Sequence, residues 1–207
     1  MSRTAEQIAA LRRALDAETR ATSDFDLNPE VALPAGRILR PAGVLLALTE
    51  GAKGLNLVLT KRSSRLKHHP GQIAFPGGKQ DDGDADAIAA ALREAEEEVG
   101  VVPDEVELIA RGAPYITGTG FRIVPVIGVL PGDFEPKPDP HEVDSVFEAP
   151  LSFLMKAANH HRHSTRWKGQ VRSYYEMPWQ GHRIWGVTAG IIRALYDRLY
   201  EPGEETE

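Results

Sequence analysis

The chain of 207 residues contains no cysteine, which excludes disulfides and thiolate metal sites. Any metal it binds must be held by oxygen or imidazole. There is no uninterrupted apolar run of about 18 residues, so no membrane-spanning helix is expected. The opening Met1-Ser2-Arg3-Thr4-Ala5-Glu6 lacks the apolar stretch of a signal peptide. The closing Glu204-Glu205-Thr206-Glu207 is not a Ser-Lys-Leu address. A cytoplasmic location is expected. Basic charge is in short supply too: the net charge is -6, which argues against a general nucleic-acid binder. No internal repeat or long low-complexity segment occurs. Hydrophobic residues make up 42% of the chain, enough for an ordinary core. The length fits one domain with appendages, or at most two small domains. A small-molecule ligand is the expected partner, with neither nucleic acid nor membrane. If that ligand carries phosphates, an acidic chain needs local positive charge or a metal to hold it.

Residues 5–20 read as an amphipathic helix, with Ile8, Leu11 and Leu15 on one face, Thr4 as N-cap, and Arg12, Arg13 and Asp16 toward solvent. Residues 21–36, with Pro29 and Pro34, read as a surface linker. The apolar runs 43–49 and 55–61 flank a glycine-containing loop and predict a hairpin. Gln72 to Phe75 reads as a short strand stopped by Pro76-Gly77-Gly78. A helix follows from Asp84 to Val99, with Gly100 placed to end it. Strands are expected at 105–115, 121–130 and 143–147, and a short helix at 150–158. Residues 159–170 read as a basic, His-rich loop. A strand pair at 171–176 and 182–185 precedes a closing helix, Val187 to Tyr200, with Val187, Ile191, Leu195 and Leu199 at spacing four. The fold class is α+β, or a layered α/β/α sandwich. Residues 1–35 form an N-terminal helix and linker, 36–200 the main domain and 201–207 an acidic tail.

The helix at 84–99 carries Arg93-Glu94-Ala95-Glu96-Glu97-Glu98. Glu94, Glu97 and Glu98 stand at i, i+3 and i+4 and share a face, where like charges cost roughly 0.2–0.5 kcal/mol per pair. They also crowd the negative end of the helix dipole, at about 0.3–1 kcal/mol each. A hard divalent cation removes both penalties, because Mg²⁺ uses one or two carboxylates plus water and substrate phosphate. A solvated acidic face is the plain alternative. The preceding Pro76-Gly77-Gly78 lets the backbone approach phosphate closely. Arg93 can anchor the loop or the carboxylates by bidentate pairing.

These residues resemble the Nudix hydrolases, whose pattern is G-x5-E-x7-R-E-U-x-E-E-x-G-U with U apolar. Arg93-Glu94-Ala95-Glu96-Glu97-Glu98-Val99-Gly100-Val101 matches its right half. Counting back, the family glycine falls on Lys79 and the first glutamate on Ala85. Gly78 and Asp84 take those places if one extra residue is accommodated before Arg93. Upstream, Val58-Leu59-Thr60-Lys61-Arg62-Ser63-Ser64-Arg65-Leu66-Lys67-His68-His69-Pro70-Gly71-Gln72-Ile73-Ala74-Phe75-Pro76-Gly77-Gly78 resembles a motif of the coenzyme A (CoA) pyrophosphatase branch. Ile184 to Ala189 also resembles that branch. The resemblance implies a Nudix α/β/α sandwich around a mixed sheet and a Mg²⁺ or Mn²⁺ cofactor. It implies hydrolysis of CoA or acyl-CoA to 4'-phosphopantetheine and adenosine 3',5'-bisphosphate. Other Nudix substrates (ADP-ribose, dinucleoside polyphosphates, oxidised nucleotides) are the alternative, as is a non-catalytic nucleotide-binding module.

On that basis Glu94, Glu97 and Glu98 are expected as metal ligands. Arg93 belongs to the catalytic set, and the general base is either Glu97 or, from a distant loop, Glu142. Arg62, Arg65, His69, Gln72, Gly77 and Gly78 are expected to meet the substrate, whose phosphates give the basic segment 61–69 a use. His68 and His69 suit substrate contact or loop structure better than a metal, since carboxylates favour harder ions. His160, His161 and His163 read as a flexible loop. Trp167, Tyr174, Tyr175, Trp179 and Trp185 either stack a base or fill the core, with packing the default. The N-terminal helix serves as a cap or in a homodimer.

Overall fold

The computed structural model describes residues 3–15, 20–167 and 169–200. In chain order the elements are α1 (Arg3–Leu15), β1 (Thr22–Ser23), β2 (Arg40–Gly51), β3 (Gly54–Arg62), β4 (Ile73–Ala74), β5 (Gly77–Lys79) and α2 (Ala87–Val99). Then come β6 (Glu107–Arg111), β7 (Tyr115–Ile116), β8 (Phe121–Val129), β9 (Val143–Pro150) and α3 (Leu151–Leu154). The chain continues through β10 (His161–Trp167), β11 (Gln170–Trp179), β12 (His182–Trp185) and α4 (Val187–Leu199).

A run without polar side chains, such as Val44 to Leu48, belongs in a strand covered on both faces. It lies in β2, where Leu45, Leu46, Ala47 and Leu48 are each 2% exposed or less. Side chains alternate along a strand, so β2 feeds two cores. Leu45 and Ala47 meet Ala91, Ala95 and Val99 of α2. Leu46 and Leu48 meet Leu11 of α1 and Ile191, Ile192 and Leu195 of α4. The neighbouring β3 repeats the division, with Val58 on the α2 side and Leu57 and Leu59 on the other. The result is an α/β/α sandwich.

The main sheet is mixed. β2 pairs antiparallel with β3 and parallel with β8. β9 and β4 join β3 antiparallel, while β6 and β7 join β8 antiparallel. β5 runs antiparallel along β2, aligning Gly78 with Gly43 and Gly77 with Val44. The expected stop at Gly77-Gly78 is therefore a strand, because backbone pairing needs no side chains. Gly43 lets α2 approach: a Cβ there would lie 1.9 Å from the Ala87 carbonyl oxygen. Gly43→Ala is expected to cost about 2–3 kcal/mol, since rigid backbone must move. Chemical denaturation of the variant should show this as a lower midpoint.

Several boundaries differ from the sequence reading. Helix α1 begins at Arg3, which puts Thr4 inside the helix rather than at its cap. Leu11 is in the core, flanked by the partly buried Ile8 and Leu15, and Arg12 reaches Glu107 at 2.7 Å. Residues 16–19, and with them Asp16, lie outside the described residues, as does the tail 201–207. The segment 21–36 contains β1, which pairs parallel with β7. The expected strand 105–115 is divided between β6 and β7, which pair separately with β8. The helix expected at 150–158 is the single turn α3 followed by a 3₁₀ turn, Ala157–Asn159.

The His-rich stretch is not a loop. β10 pairs with β11 from His161 opposite Glu176 to Trp167 opposite Gln170, and β12 completes a three-stranded antiparallel sheet. Residues 161–166 are all exposed. With neither face covered, no apolar alternation marks the strand, and its order comes from the backbone ladder. The side chain of Trp167 lies outside the described residues. Asn28 ties this sheet to the N-terminal segment: its amide accepts from Ser173 N at 2.6 Å and donates to Ser173 O at 3.0 Å and Asp24 O at 2.6 Å.

Candidate active site

The acidic helix is held at both ends without basic help. Asp86 caps its start by accepting from Ile88 N at 2.8 Å and Ala89 N at 2.9 Å. Gly100 closes it in the left-handed region at φ 74°, donating to Glu96 O. Between these caps, Glu98 turns into the protein and is 2% exposed. Its Oε2 accepts from Gly77 N at 3.1 Å, and the Arg62 guanidinium stands 3.6 Å from Oε1. Gly77 has φ 144°, and a Cβ on it would lie 2.5 Å from Gly43 O. At Gly78 a Cβ would lie 2.4 Å from the Glu94 carboxyl carbon. The two glycines thus let β5 fit between β2 and one turn of α2, with Glu94 and Glu98 beside them.

Both carboxylates feel this crowding. Burial pushes Glu98 up to about 7, against the opposing pull of the Gly77 N–H and Arg62, and the charges of Glu94 and Glu142 add to the rise. Burial also raises Glu94, opposed by Arg93 and reinforced by Glu97 and Glu142. A buried carboxylate and a partly buried one beside it, both raised by burial despite their arginines, fit a hard divalent cation. Among the described residues no three carboxylates or imidazoles are gathered into a ready-made cage. Two carboxylates completed by water and substrate phosphate are what Mg²⁺ commonly uses. Glu97 is placed differently: its side chain is 58% exposed and pairs with Arg93 Nη1 at 3.1 Å.

Arg93 organises the approach to the helix. Its Nε and Nη2 each lie 3.0 Å from an oxygen of Asp84, a bidentate pair. Nη2 also donates to Lys79 O at 3.2 Å, and Nη1 lies 3.0 Å from Glu94. The Asp84 side chain is only 7% exposed. The hydrogen bonds from Arg93, then the Asp81 N–H, hold its carboxyl below the ordinary range. The extra residue is accommodated in the turn before the helix, which starts at Ala87 rather than Asp84. Asp84 thereby faces Arg93, and Gly78 faces Glu94.

A cleft of about 310 Å³ opens beside the glycine turn. Five sequence-selected residues line it: Arg62, His69, Gln72, Gly77 and Gly78. Arg65 does not; its guanidinium donates to the carbonyl oxygen of Pro140. Glu142 is exposed at the start of β9, and its carbonyl accepts from Ser63 N at 2.8 Å. His160 is a packing residue, with Nε2 2.6 Å from Leu154 O and its ring edge-on to Tyr196. Trp179 packs on Phe153 at 4.6 Å. Trp185, by contrast, lines the cleft, with the Arg183 guanidinium 4.6 Å over its ring. Asp24, Lys79, Thr117, Thr119 and Phe121 also line the cleft. They lie in three separate stretches of chain and form no motif, so sequence spacing carried no signal for them.

The glycine at 78 offers a direct check. In Gly78→Ala the new methyl displaces the end of the Glu94 side chain, which is flexible. Turnover with Mg²⁺ is expected to fall about 10- to 100-fold, with the thermal midpoint little changed. Steady-state kinetics alongside calorimetry would separate the two.

A mixed sheet between helices, with a buried and a partly buried carboxylate beside a glycine turn, is a build that suits a metal-assisted enzyme. The NUDIX domain family matches residues 39–168. An uncharacterised Nudix hydrolase, NudL, of Enterobacter sp. strain 638 is 43% identical over 156 residues, covering 75% of this chain and 81% of that one. NudL of Escherichia coli K12 is 42% identical over the same length and coverage. The chain belongs to the Nudix hydrolase family. Among solved structures, a MutT/nudix family protein from Enterococcus faecalis aligns with a TM-score of 0.49 and 17% identity, covering 96% of this chain and 75% of that one. An Ap4A hydrolase of C. elegans aligns with a TM-score of 0.47 and 18% identity, over 54% of this chain and 80% of that one. No helix among the described residues is long and apolar enough to cross a membrane.

Proposed function

We propose that this Nudix hydrolase cleaves the pyrophosphate bond of CoA or an acyl-CoA, giving 4'-phosphopantetheine and adenosine 3',5'-bisphosphate. The observation that carries the reading is the course of the upstream motif. Arg62, His69 and Gln72 line the same cleft as Gly77-Gly78, and Arg62 also approaches Glu98. A motif similar to that of the CoA branch thus borders the catalytic helix as well as preceding it in sequence.

In this reading Glu94 and Glu98 hold a divalent cation, Mg²⁺ or Mn²⁺, and Glu97 joins them when it leaves Arg93. When bound, the cation supplies charge neutralisation at the diphosphate and acidifies a water ligand. Gly77 and Gly78 line the cleft and bring Glu94 and Glu98 to its edge. Arg62 adds positive charge at the same end and balances Glu98. Arg93 is a positioning residue, clamping the 79–84 turn to the helix so that Glu94 and Glu98 face the cleft. Glu142 is the stronger choice as general base, because it is exposed and its charge reaches Glu94 and Glu98, whereas Glu97 is engaged by Arg93. Its task is to take the proton from the attacking water.

The test is product analysis on a panel of CoA, acetyl-CoA, oxidised CoA and ADP-ribose with Mg²⁺ or Mn²⁺. Phosphopantetheine and adenosine 3',5'-bisphosphate are the expected products. Rapid turnover of ADP-ribose with none of CoA would reject the proposal.

A further inference from the structure

The N-terminal segment, outside the matched NUDIX domain, contributes an acidic residue, Asp24, to the cleft lining. Asp24 follows β1, and its backbone N–H donates to Ile116 O at 3.0 Å. Tyr115 OH donates to Oδ1 at 2.9 Å and Gly118 N to Oδ2 at 2.7 Å. Arg172 of β11 contributes an attractive charge. These contacts fix the carboxylate at the cleft wall with Thr117 and Thr119. A carboxylate oxygen accepts up to two hydrogen bonds, so a carboxylate held in this way can take a further donor from a ligand. The rest of that wall is largely apolar, with Val44, Ile73, Phe121 and Ile123.

A fixed negative charge in a wall of low dielectric repels phosphate. The diphosphate belongs at the opposite character of surface, by the glycine turn and Arg62. With Arg172 already offsetting part of its charge, Asp24 favours a hydrogen-bond donor over an anion, and of the parts of CoA a neutral donor meets that demand. CoA has two arms on its diphosphate. The adenosine arm carries a further, anionic 3'-phosphate. The pantetheine arm is neutral and bears a hydroxyl and two amide N–H groups along an otherwise apolar chain.

We propose that Asp24 is a specificity residue that accepts a hydrogen bond from the hydroxyl or an amide N–H of the pantetheine arm. That arm occupies the cleft, and the 3'-phosphate stays outside it. The inference rests on the CoA reading above and goes beyond it by choosing the arm that is recognised.

The experiment compares kcat/KM, with Mg²⁺, for CoA and for the propyl ester of adenosine 3'-phosphate 5'-diphosphate, which keeps the anionic arm and lacks pantetheine. Asp24→Ala is expected to lower kcat/KM for CoA about 10- to 100-fold, chiefly through KM. The propyl ester should change less than about threefold, within the spread of a surface substitution. Asp24→Asn keeps the shape and an acceptor for Gly118 N, so it should fall between wild type and Asp24→Ala; it also carries the test if the alanine variant fails to fold. If Asp24 serves only to hold the 117–120 turn, both substrates lose equally, and that result overturns the proposal. Wild-type enzyme that does not turn over CoA overturns the functional reading itself, a different outcome from wild type that uses CoA while its Asp24 variants treat both substrates alike.

Discussion

Glu98→Gln is expected to reduce metal-stimulated turnover on the order of 10³-fold while making the metal-free protein more stable at pH 8. The two effects have one origin. A carboxylate that is 2% exposed and balanced only by Gly77 N–H and a guanidinium at 3.6 Å has lost more solvation than it has regained. Its acidity shifts from 4.5 to about 7 on folding. Between those values the folded state binds the proton that the unfolded state releases, so stability falls as pH rises through this window and levels off above about 7. At pH 8 the penalty is fully present, about 3 kcal/mol from the size of the shift. Glutamine removes the charge and can still accept from Gly77 N. With roughly 2–4 °C per kcal/mol for a chain of this size, the midpoint should rise by several degrees.

Added Mg²⁺ should reverse the order. Wild type gains stability with metal concentration by ordinary linkage, and the Gln variant gains little. Differential scanning fluorimetry across pH 5 to 8, with and without Mg²⁺, reads all of this together. Wild-type turnover in Glu98→Gln would remove Glu98 from the ligand set. A midpoint lowered at pH 8 would mean that the carboxylate is well compensated without a cation.

The acidic helix was open to sequence reading because its signals are local. Glu94, Glu97 and Glu98 are related by helix spacing, and Gly100 ends the helix through its own backbone freedom. The two-faced strands were equally legible, since an unbroken apolar run has few other places to go. The candidate cleft was legible along the motif at 62–78 and along Ile184 to Ala189, of which Trp185 to Thr188 line it. Asp24 reaches the cleft because β1 pairs with β7, an event that leaves no mark in residue spacing. β10 was missed because a strand exposed on both faces lacks the alternation by which strands are recognised. Glu94, Glu97 and Glu98 share a helix face, as expected, but not an environment. Burial sets Glu98 apart, and the capture of Glu97 by Arg93 depends on a turn whose course the spacing left open.

That turn makes Arg93→Ala the second large expected effect. Arg93 joins Asp84, Lys79 O, Glu94 and Glu97 in one cluster, so its loss leaves the nearly buried Asp84 with only the Asp81 N–H. A cost of about 1.5–3 kcal/mol is expected for a carboxylate stripped of its bidentate charged partner. Turnover should fall about 100-fold, because the turn and Glu94 no longer hold their places beside the cleft. Arg93→Lys keeps the charge but not the planar fork, and should recover only part of either loss. Asp84→Ala alone should destabilise comparably, and the double variant should cost little more than either single one. That pattern corresponds to a coupling of about 1–3 kcal/mol in a double-mutant cycle. The pH dependence supplies a second reading. Because Asp84 is held below 3.8 in the folded state, its contribution is present above that value and lost as pH falls through the lower folded one. Asp84→Ala should therefore flatten the acid limb of the stability curve below pH 4. If the two substitutions instead add, with an unchanged acid limb, Arg93 acts on Glu94 and Glu97 directly and the clamp on the turn is incidental.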